Sequence, residues 1–531
     1  MRFSSRICRI IGVIPRLIRP VLRDGYAAHL GLGCLVSLCV FTGFASAAIT
    51  TSGFINPSYQ GSDPWVIAGD LNVPLFSTGM LQINNGSVVT NNTGSIGVTP
   101  GTNGTVTITG AGSVWNNNSD LRVGVYGSAT LNIEADGVVN VGRDTWVRQE
   151  ASPNSIINLN GGTLNTVGLF TSQDDLIGTG TINTATIVSD INLVFDQVHG
   201  LQQQIILNAL PGQNITINLD ATVGTSNRTL GAGYSGVGSL TIADGLAVTS
   251  SEGVLGYQAG SQGTATITGA GSRWDINENL LVGLKGTGEL NISNGGVVSV
   301  AKDTILAQSA DASGLINLNG GTLDTSGIWA ASESLSGTGT INARGIVSDI
   351  DLIFDVTHDL QQQVVLDGEP GQNITLNLDL STTASSGALG AGLSGLGTLS
   401  IMDGKSVGST RGVLGYRSGS NGTATVTGAG SQWNNSGTLT IGEGGTGTLV
   451  IAGGGSVENA AGYIGDLSGS DGTATVSGQD SQWINNGNLY VGFNGDGELS
   501  ILGGGFVHSN QGHLGYNTNT TGIATVSGAD S

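Results

Sequence analysis

Gly472-Thr-Ala-Thr-Val476-Ser-Gly-Gln-Asp-Ser-Gln-Trp483 is restated along the chain with a fixed step. The aliphatic position held by Val476 recurs every 25 residues, and the glycine held by Gly472 keeps the same step. The C-terminal series is Val426, Ile451, Val476, Ile501 and Val526, accompanied by Gly422, Gly447, Gly472, Gly497 and Gly522. A fixed period of this length predicts a repeat protein whose units stack on one another.

Two earlier series share the step, namely Ile83, Ile108, Ile133 and Ile242, Ile267, Ile292. The longer segments that follow them are copies offset by 159 residues, as Trp115, Trp274 and Trp433 show. The predicted organisation is a cap at 48–82, regular coils at 83–135, 238–294 and 397–531, and irregular inserts at 136–237 and 295–396.

The local pattern favours strands over disorder. The chain has 90 glycines, but 38% of its residues are hydrophobic, and in Thr105-Val-Thr-Ile-Thr109 aliphatic and polar residues alternate. Alternation is the period of a strand that is buried on one face. Short strands repeated every 25 residues bury that face only by stacking on their copies. We predict an all-β, single-stranded parallel β-solenoid (β-helix) of about 25 residues per coil, with inserts that form either irregular coils or side hairpins.

Residues 1–47 have the composition of a signal peptide. Residues 2–23 carry six arginines, residues 30–41 are apolar but too short to span a bilayer, and Ala45-Ser46-Ala47 is a small-residue cleavage site. We expect export across the inner membrane of a Gram-negative-type bacterium, to the outer membrane, the cell surface or the medium. The exported chain would contain no disulfide, because this segment holds all three cysteines, Cys8, Cys34 and Cys39.

The charge argues against some partners. The chain has 17 basic and 38 acidic side chains; six arginines and Asp24 lie in residues 1–47, which leaves 11 and 37, a net charge of −26. Such a surface repels nucleic acids and anionic membranes. We expect no nucleic-acid partner, and membrane contact only through an anchor or translocator outside this chain.

The repeat resembles a known bacterial family. Residues 422–433, Gly-Thr-Ala-Thr-Val-Thr-Gly-Ala-Gly-Ser-Gln-Trp, and residues 445–457, Gly-Thr-Gly-Thr-Leu-Val-Ile-Ala-Gly-Gly-Gly-Ser-Val, look like the repeat of bacterial type V secretion (autotransporter passenger) and PEP-CTERM-associated proteins. The resemblance implies an exported, surface-displayed or released β-helix, a type often interpreted as an adhesin or matrix component. The repeat breaks off mid-coil at Ser531, so we expect a fragment of a longer polypeptide or a truncated reading frame.

Catalysis on a β-helix usually needs clustered carboxylates, and the second insert offers one pair. Asp349 and Asp351 would share a strand face at roughly 6–7 Å, a separation that a glycosidase could use. The first insert has Asp190 and Asn192 at these positions. Because the pair is not repeated, we predict solvated strand-end acids, no catalytic residue and no enzyme activity.

Candidate metal ligands are sparse. His199 and His358 recur before the glutamine runs 202–204 and 361–363, with no second ligand at zinc spacing, and turn histidines are the simpler interpretation. Asn494-Gly-Asp-Gly-Glu498 is an acidic loop without a second copy. We predict no metal and no cofactor, and we interpret the glutamine runs as polar ladders.

Four tryptophans follow a series aliphatic by seven residues, namely Trp115, Trp274, Trp433 and Trp483. Aromatic faces can stack on sugar rings, but the fixed offset favours packing at a coil corner. The functional hypothesis is adhesion to an extracellular polysaccharide, matrix or cell-surface ligand through many repeated polar contacts. The alternatives are a polysaccharide-cleaving β-helix enzyme that uses the inserts, and a passive spacer for another module.

Overall fold

The computed structural model describes residues 48–149, 154–223, 228–381 and 387–531. The chain separates into two compact units, residues 1–45 and 46–531, and all described residues belong to the second. The signal peptide predicted at residues 1–47 lies outside the described residues. Within the described ranges, no helix is long and apolar enough to cross a bilayer.

Parallel strands stack as a β-solenoid of about 18 turns spaced about 25 residues apart, which confirms the predicted fold. A regular coil contains three strands, for example Asn421–Thr427, Gln432–Asn435 and Thr438–Ile441. Equivalent strands of successive coils pair in parallel. They form three sheets, called here the first, second and third face.

The strand bounds follow this three-face plan. The first face contains Thr78–Asn84, Asn103–Thr109, Ser128–Glu134, Asn192–Phe195, Val237–Ile242, Gln262–Thr268, Thr287–Ser293, Asp351–Phe354, Leu396–Ile401, Asn421–Thr427, Thr446–Ala452, Asp471–Ser477, Asp496–Leu502 and Gly522–Ser527. The second contains Trp65–Val66, Val88–Asn91, Val114–Asn117, Val138–Val141, Asn214–Asp220, Ala247–Ser250, Arg273–Ile276, Asn373–Asp379, Ser406–Ser409, Gln432–Asn435, Ser456–Asn459, Gln482–Asn485 and Phe506–His508. The third contains Leu71–Val73, Gly94–Ile96, Leu121–Val123, Asp144–Val147, Gly168–Thr171, Thr186–Ser189, Thr229–Ala232, Glu252–Leu255, Leu280–Val282, Ile346–Ser348, Leu389–Ala391, Gly412–Leu414, Thr438–Ile441, Ala461–Ile464, Asn488–Val491 and Gln511–Leu514.

Longer strands continue around corners and serve more than one face. They are Ile156–Asn165, Leu176–Thr184, Val297–Leu306, Ser313–Trp329 and Leu335–Ala343. Two single 3₁₀ turns, Gln173–Asp175 and Ser332–Ser334, lie at corners of the inserts.

The core consists of columns of aliphatic side chains, one from each coil. Val426 pairs with Ile451, Ile451 with Val476, and Val476 with Ile501. Ile451 and Val476 are fully buried, whereas Val526, in the last coil, is 61% exposed. The alternation of buried and outward residues along each strand thus stacks the predicted series into one continuous core.

The series glycines lie inside the first strands and not in turns. A Cβ on Gly472 would lie 2.3 Å from the carbonyl oxygen of Ile441, on the preceding coil. No side chain fits at that distance. The glycine step of 25 residues therefore records where the backbones of successive coils approach each other.

The N-terminal segment covers an open sheet edge. Ala48–Gly53 pairs antiparallel with Thr78–Asn84 at the edge of the first face, as expected of a cap. Parallel pairing already begins within the range predicted as the cap, at Trp65–Val66 and Leu71–Val73.

Each insert combines the two arrangements left open by the sequence. The third face continues through both inserts. At the same places a side strand folds back, because Gln202–Leu207 pairs antiparallel with Asn214–Asp220, and Gln361–Leu366 pairs antiparallel with Asn373–Asp379. The inserts are therefore coils that each carry one hairpin.

Candidate functional site

A row of asparagine side chains runs along the outer side of the second face in the first insert. Asn140 donates from Nδ2 to Oδ1 of Asn116 at 2.9 Å, and Asn165 donates to Asn140 at 2.8 Å. Asn183 donates to Asn165 at 2.7 Å, and Asn218 donates to Asn183 at 2.8 Å. We call these five residues the amide ladder.

The amide ladder lines a groove of about 700 Å³, called here the first groove. The short turns between the second and third faces, including Val141-Gly142, Thr166-Val167 and Thr184-Ala185, line it as well. Asp220 and Val223, which follow the hairpin, line it beside the last rung. The groove therefore combines polar amides with small apolar side chains.

The Asp220 carboxylate is already engaged by neighbouring donors. Its Oδ1 accepts from the backbone N–H of Thr222 at 3.0 Å and from the Thr222 hydroxyl at 2.5 Å, and its Oδ2 accepts from Gln202 at 2.9 Å. These bonds, those from Thr222 first, lower the pKa of Asp220. The carboxylate is thus held by the hairpin, while the ladder amides face the groove.

The second insert repeats the groove 159 residues later with other side chains. A groove of about 540 Å³ is lined by Asn342 and Asn377, which correspond to Asn183 and Asn218. Asn377 donates to Asn342 at 2.8 Å. Asp324 replaces Asn165 and Arg344 replaces Ala185, which brings charge into this second groove. The asparagine positions were missed in the sequence, although each ladder residue directly follows an apolar residue at an inward position.

The carboxylates considered for catalysis have separate structural partners. Asp349 accepts from the Ser394 backbone N–H at 3.0 Å and from its hydroxyl at 2.8 Å. Asp351 accepts from the Thr398 hydroxyl at 2.6 Å. In the first insert, Asp190 makes the same bonds to Ser235, with 3.1 Å to the backbone N–H and 3.2 Å to the hydroxyl. Both inserts thus use this aspartate to hold a corner.

The two recurring histidines lie in exposed turns. Nδ1 of His199 lies 2.8 Å from Oδ1 of Asp196, and Nδ1 of His358 lies 2.9 Å from Oδ1 of Asp355. The same aspartate oxygens accept the histidine backbone N–H groups at 2.8 and 2.7 Å. These bonds help to lower the pKa of Asp196, where the backbone bond from His199 contributes most.

The glutamine runs bond within their hairpins. Gln204 donates to Asn218 at 3.1 Å, which extends the amide ladder by one rung, and Gln203 donates to the Val194 carbonyl at 3.1 Å. Asp496, in the acidic loop 494–498, accepts the Thr521 backbone N–H at 2.7 Å. In the part of the chain that the structure describes, no three His, Cys, Asp or Glu side chains converge as a metal centre requires.

The four repeated tryptophans lie in the second strands and are fully buried, so the corner position was wrong. Each indole N–H donates to a polar side chain one coil earlier; Trp115 donates to Asn91 at 2.7 Å and Trp483 to Asn459 at 2.6 Å. Trp274 and Trp433 donate to serine hydroxyls at 3.0 and 3.2 Å. Buried indoles offer no face to a sugar.

A charged recess on the third face was also missed. Asp144, Glu252 and Glu278 line a cavity of about 360 Å³ together with Arg143 and Arg228. Burial raises the pKa of Asp144 to about 6, the charge of Asp120 adds to the rise, and Arg143 opposes it. Burial also raises the pKa of Glu252. These acids come from coils that are far apart in sequence, so no local motif marks them.

Comparisons with known proteins give one distant similarity and no family. No protein-family model matches the chain. It is 26% identical over 313 residues to the uncharacterized lipoprotein YdeK of Escherichia coli strain K12, a match that covers 55% of this chain and 22% of the relative. The chain thus spans less than a quarter of that protein's length. No solved structure matches.

Proposed function

We propose that this chain is part of an exported β-solenoid of the cell envelope that acts as a non-catalytic adhesin or extracellular matrix component. The duplicated outer grooves carry this proposal, because they present partly unpaired amides at two places on one body. Weak contacts repeated on one body combine into strong attachment. The partner class is an extracellular polysaccharide, a matrix or a cell-surface ligand.

The proposed location has support of its own. The chain shares 26% identity with a lipoprotein over 313 residues, and residues 1–47 have the composition of a signal peptide. The net charge of −21 disfavours nucleic acids and anionic membranes as partners. The resemblance of the repeat to autotransporter passenger and PEP-CTERM-associated proteins is consistent with display at the surface.

Attachment of protein-coated beads tests the proposal. Beads carrying the full chain are compared, at equal protein density, with beads carrying a variant that lacks residues 134–292, one 159-residue copy joined in register. We expect attachment to cells and to extracellular matrix to fall in a graded way with the deletion, and to fall steeply as bead density decreases. Attachment that the deletion leaves unchanged, or glycan turnover that Asp349→Asn abolishes, contradicts the proposal.

A further inference from the structure

We propose that the first groove binds a single neutral glycan chain that lies along the solenoid axis. This inference rests on the proposed function and names its ligand class. It follows from the hydrogen-bonding groups that the amide ladder leaves unused, from their spacing and from the charge of the groove.

Each inner rung of the ladder uses half of its hydrogen-bonding capacity. A primary amide has two N–H donors and two lone pairs on its oxygen. Asn165 spends one N–H on Asn140 and one lone pair on Asn183. One donor and one acceptor therefore remain at each inner rung, and a sugar hydroxyl offers the complementary acceptor and donor.

The spacing of the rungs favours a glycan over an extended peptide. Rungs on successive coils lie about 4.8 Å apart, so five rungs span about 19 Å. Groups on the same side of an extended peptide recur about every 6.8 Å, and a peptide along the axis would therefore lose register with the ladder. Small apolar residues beside the ladder, including Val141, Val167 and Ala185, leave room for the C–H faces of sugar rings.

The charge of the groove favours a neutral chain. The carboxylate of Asp220 is bonded to Thr222 and Gln202, and the groove lining contains neither Lys nor Arg. A polyanionic glycan would meet no cation there and would approach a chain of net charge −21. The second groove differs, because Arg344 stands where the first has Ala185.

The experiment uses the full chain and soluble oligosaccharides. Neutral gluco-, manno- and galacto-oligosaccharides of several residues, an oligogalacturonate and an extended hexapeptide are titrated separately by calorimetry. Ala185→Arg introduces the side chain that the second insert carries at this position, so it blocks the first groove without altering the ladder. Asn165→Leu removes one rung, and Asn158→Leu is its control, because Asn158 donates to Asn132 at 3.2 Å in a similar row on the first face.

We expect at least one neutral oligosaccharide to bind, Ala185→Arg and Asn165→Leu to weaken it tenfold or more, and Asn158→Leu to leave it unchanged. Binding of only the acidic glycan or the peptide, or neutral binding that Ala185→Arg does not affect, overturns the inference. Bead attachment separates it from the proposed function. Attachment without neutral-glycan binding overturns the ligand class alone, and glycan binding without attachment overturns the adhesive function alone.

Discussion

Each buried tryptophan has a glycine partner on the preceding coil, 21 residues earlier. A Cβ on Gly412 would lie 2.9 Å from Cζ2 of the Trp433 indole and 2.6 Å from Cδ1 of Leu439. Gly462 has the same relation to Trp483, at 3.1 Å from Cζ2. The indole therefore occupies space that only glycine leaves free.

Gly412→Ala is expected to destabilise the solenoid by about 1–3 kcal/mol, because the added methyl group overpacks this contact. Gly408→Ala is the matched control, since a Cβ there meets nothing within 4 Å. The measurement is the urea midpoint of the two variants and the parent. Equal midpoints for both variants would show that the indole does not need this space.

Asp144 makes stability depend on pH. Burial raises its pKa from 3.8 to about 6, so the folded state binds a proton that the unfolded chain has already released. Stability from this group is therefore fully present near pH 4 and is lost as pH rises through about 6. In the described structure, Oδ1 of Asp144 is buried without a hydrogen-bond donor, which agrees with an uncomfortable charge.

Asp144→Asn is expected to raise stability at pH 7 by roughly 1 kcal/mol and to change little at pH 4. The estimate is kept well below the full value of two pH units, because solvent screens a partly exposed side chain. Thermal melting at pH 4, 5, 6 and 7 measures the effect. Asp303→Asn, at the equivalent position, should gain less, since Lys302 and Arg411 favour that carboxylate. A variant less stable at pH 7 than the parent contradicts the prediction.

The tryptophans also show what the sequence could not supply. Their step marked them as packing residues, but a step contains no inside or outside. Their depth depends on Asn91 or Asn459 on the coil before, which accepts the indole N–H. The glycine 21 residues earlier was the available signal, and it is hidden among 90 glycines.

At the scale of elements, each insert is fastened from outside by a corner that lies four coils later on the third face. The Arg417 guanidinium donates to the Leu306 carbonyl at 2.8 Å and also to the Ala307 carbonyl. In the first copy, Gln258 donates to the Arg148 carbonyl at 2.5 Å. Ala307 and Arg148 both have positive φ, 50° and 58°, a conformation that L side chains rarely adopt. The clamp thus holds a backbone turn that is unfavourable alone.

Arg417→Ala is expected to cost about 1–3 kcal/mol, because it leaves two part-buried carbonyl oxygens without their donor. Arg417→Gln copies the first insert and should recover most of the loss. Melting temperature and the rate of limited proteolysis measure both variants. The clamp would be unnecessary if Arg417→Ala melted and was cleaved like the parent.

The elements were predictable where the step was regular and not elsewhere. Alternation in Thr105–Thr109 and the step through Val476 suffice for stacked strands, because each residue then lies over its own copy. The hairpin strand Gln202–Leu207 has similar alternation, but it pairs with Asn214–Asp220 on its own side of a turn. The ladder follows this path, with separations of 24, 25, 18 and 35 residues, so no fixed period reveals the groove.

At the scale of the whole molecule, stability is the sum of contacts between neighbouring coils. Because most coils contact only the coils before and after them, a segment can be removed when the cut ends are equivalent. Ile133 and Ile292 hold the same position on the first face, 159 residues apart. Deleting residues 134–292 therefore joins the end of one first strand to the turn that follows its copy.

This deletion is expected to leave a folded solenoid whose melting temperature lies within a few degrees of the parent, with unchanged β-strand content per residue by circular dichroism. Deleting residues 134–280 is the control, because it joins a first strand directly to Leu281 of a third strand and omits a second strand. The control should lose cooperative melting, since its coil cannot close over Leu121–Val123. If both deletions fold equally well, stacking in register is not what holds the molecule together; if both unfold, the 159-residue copies depend on each other and are not independent additions to one column.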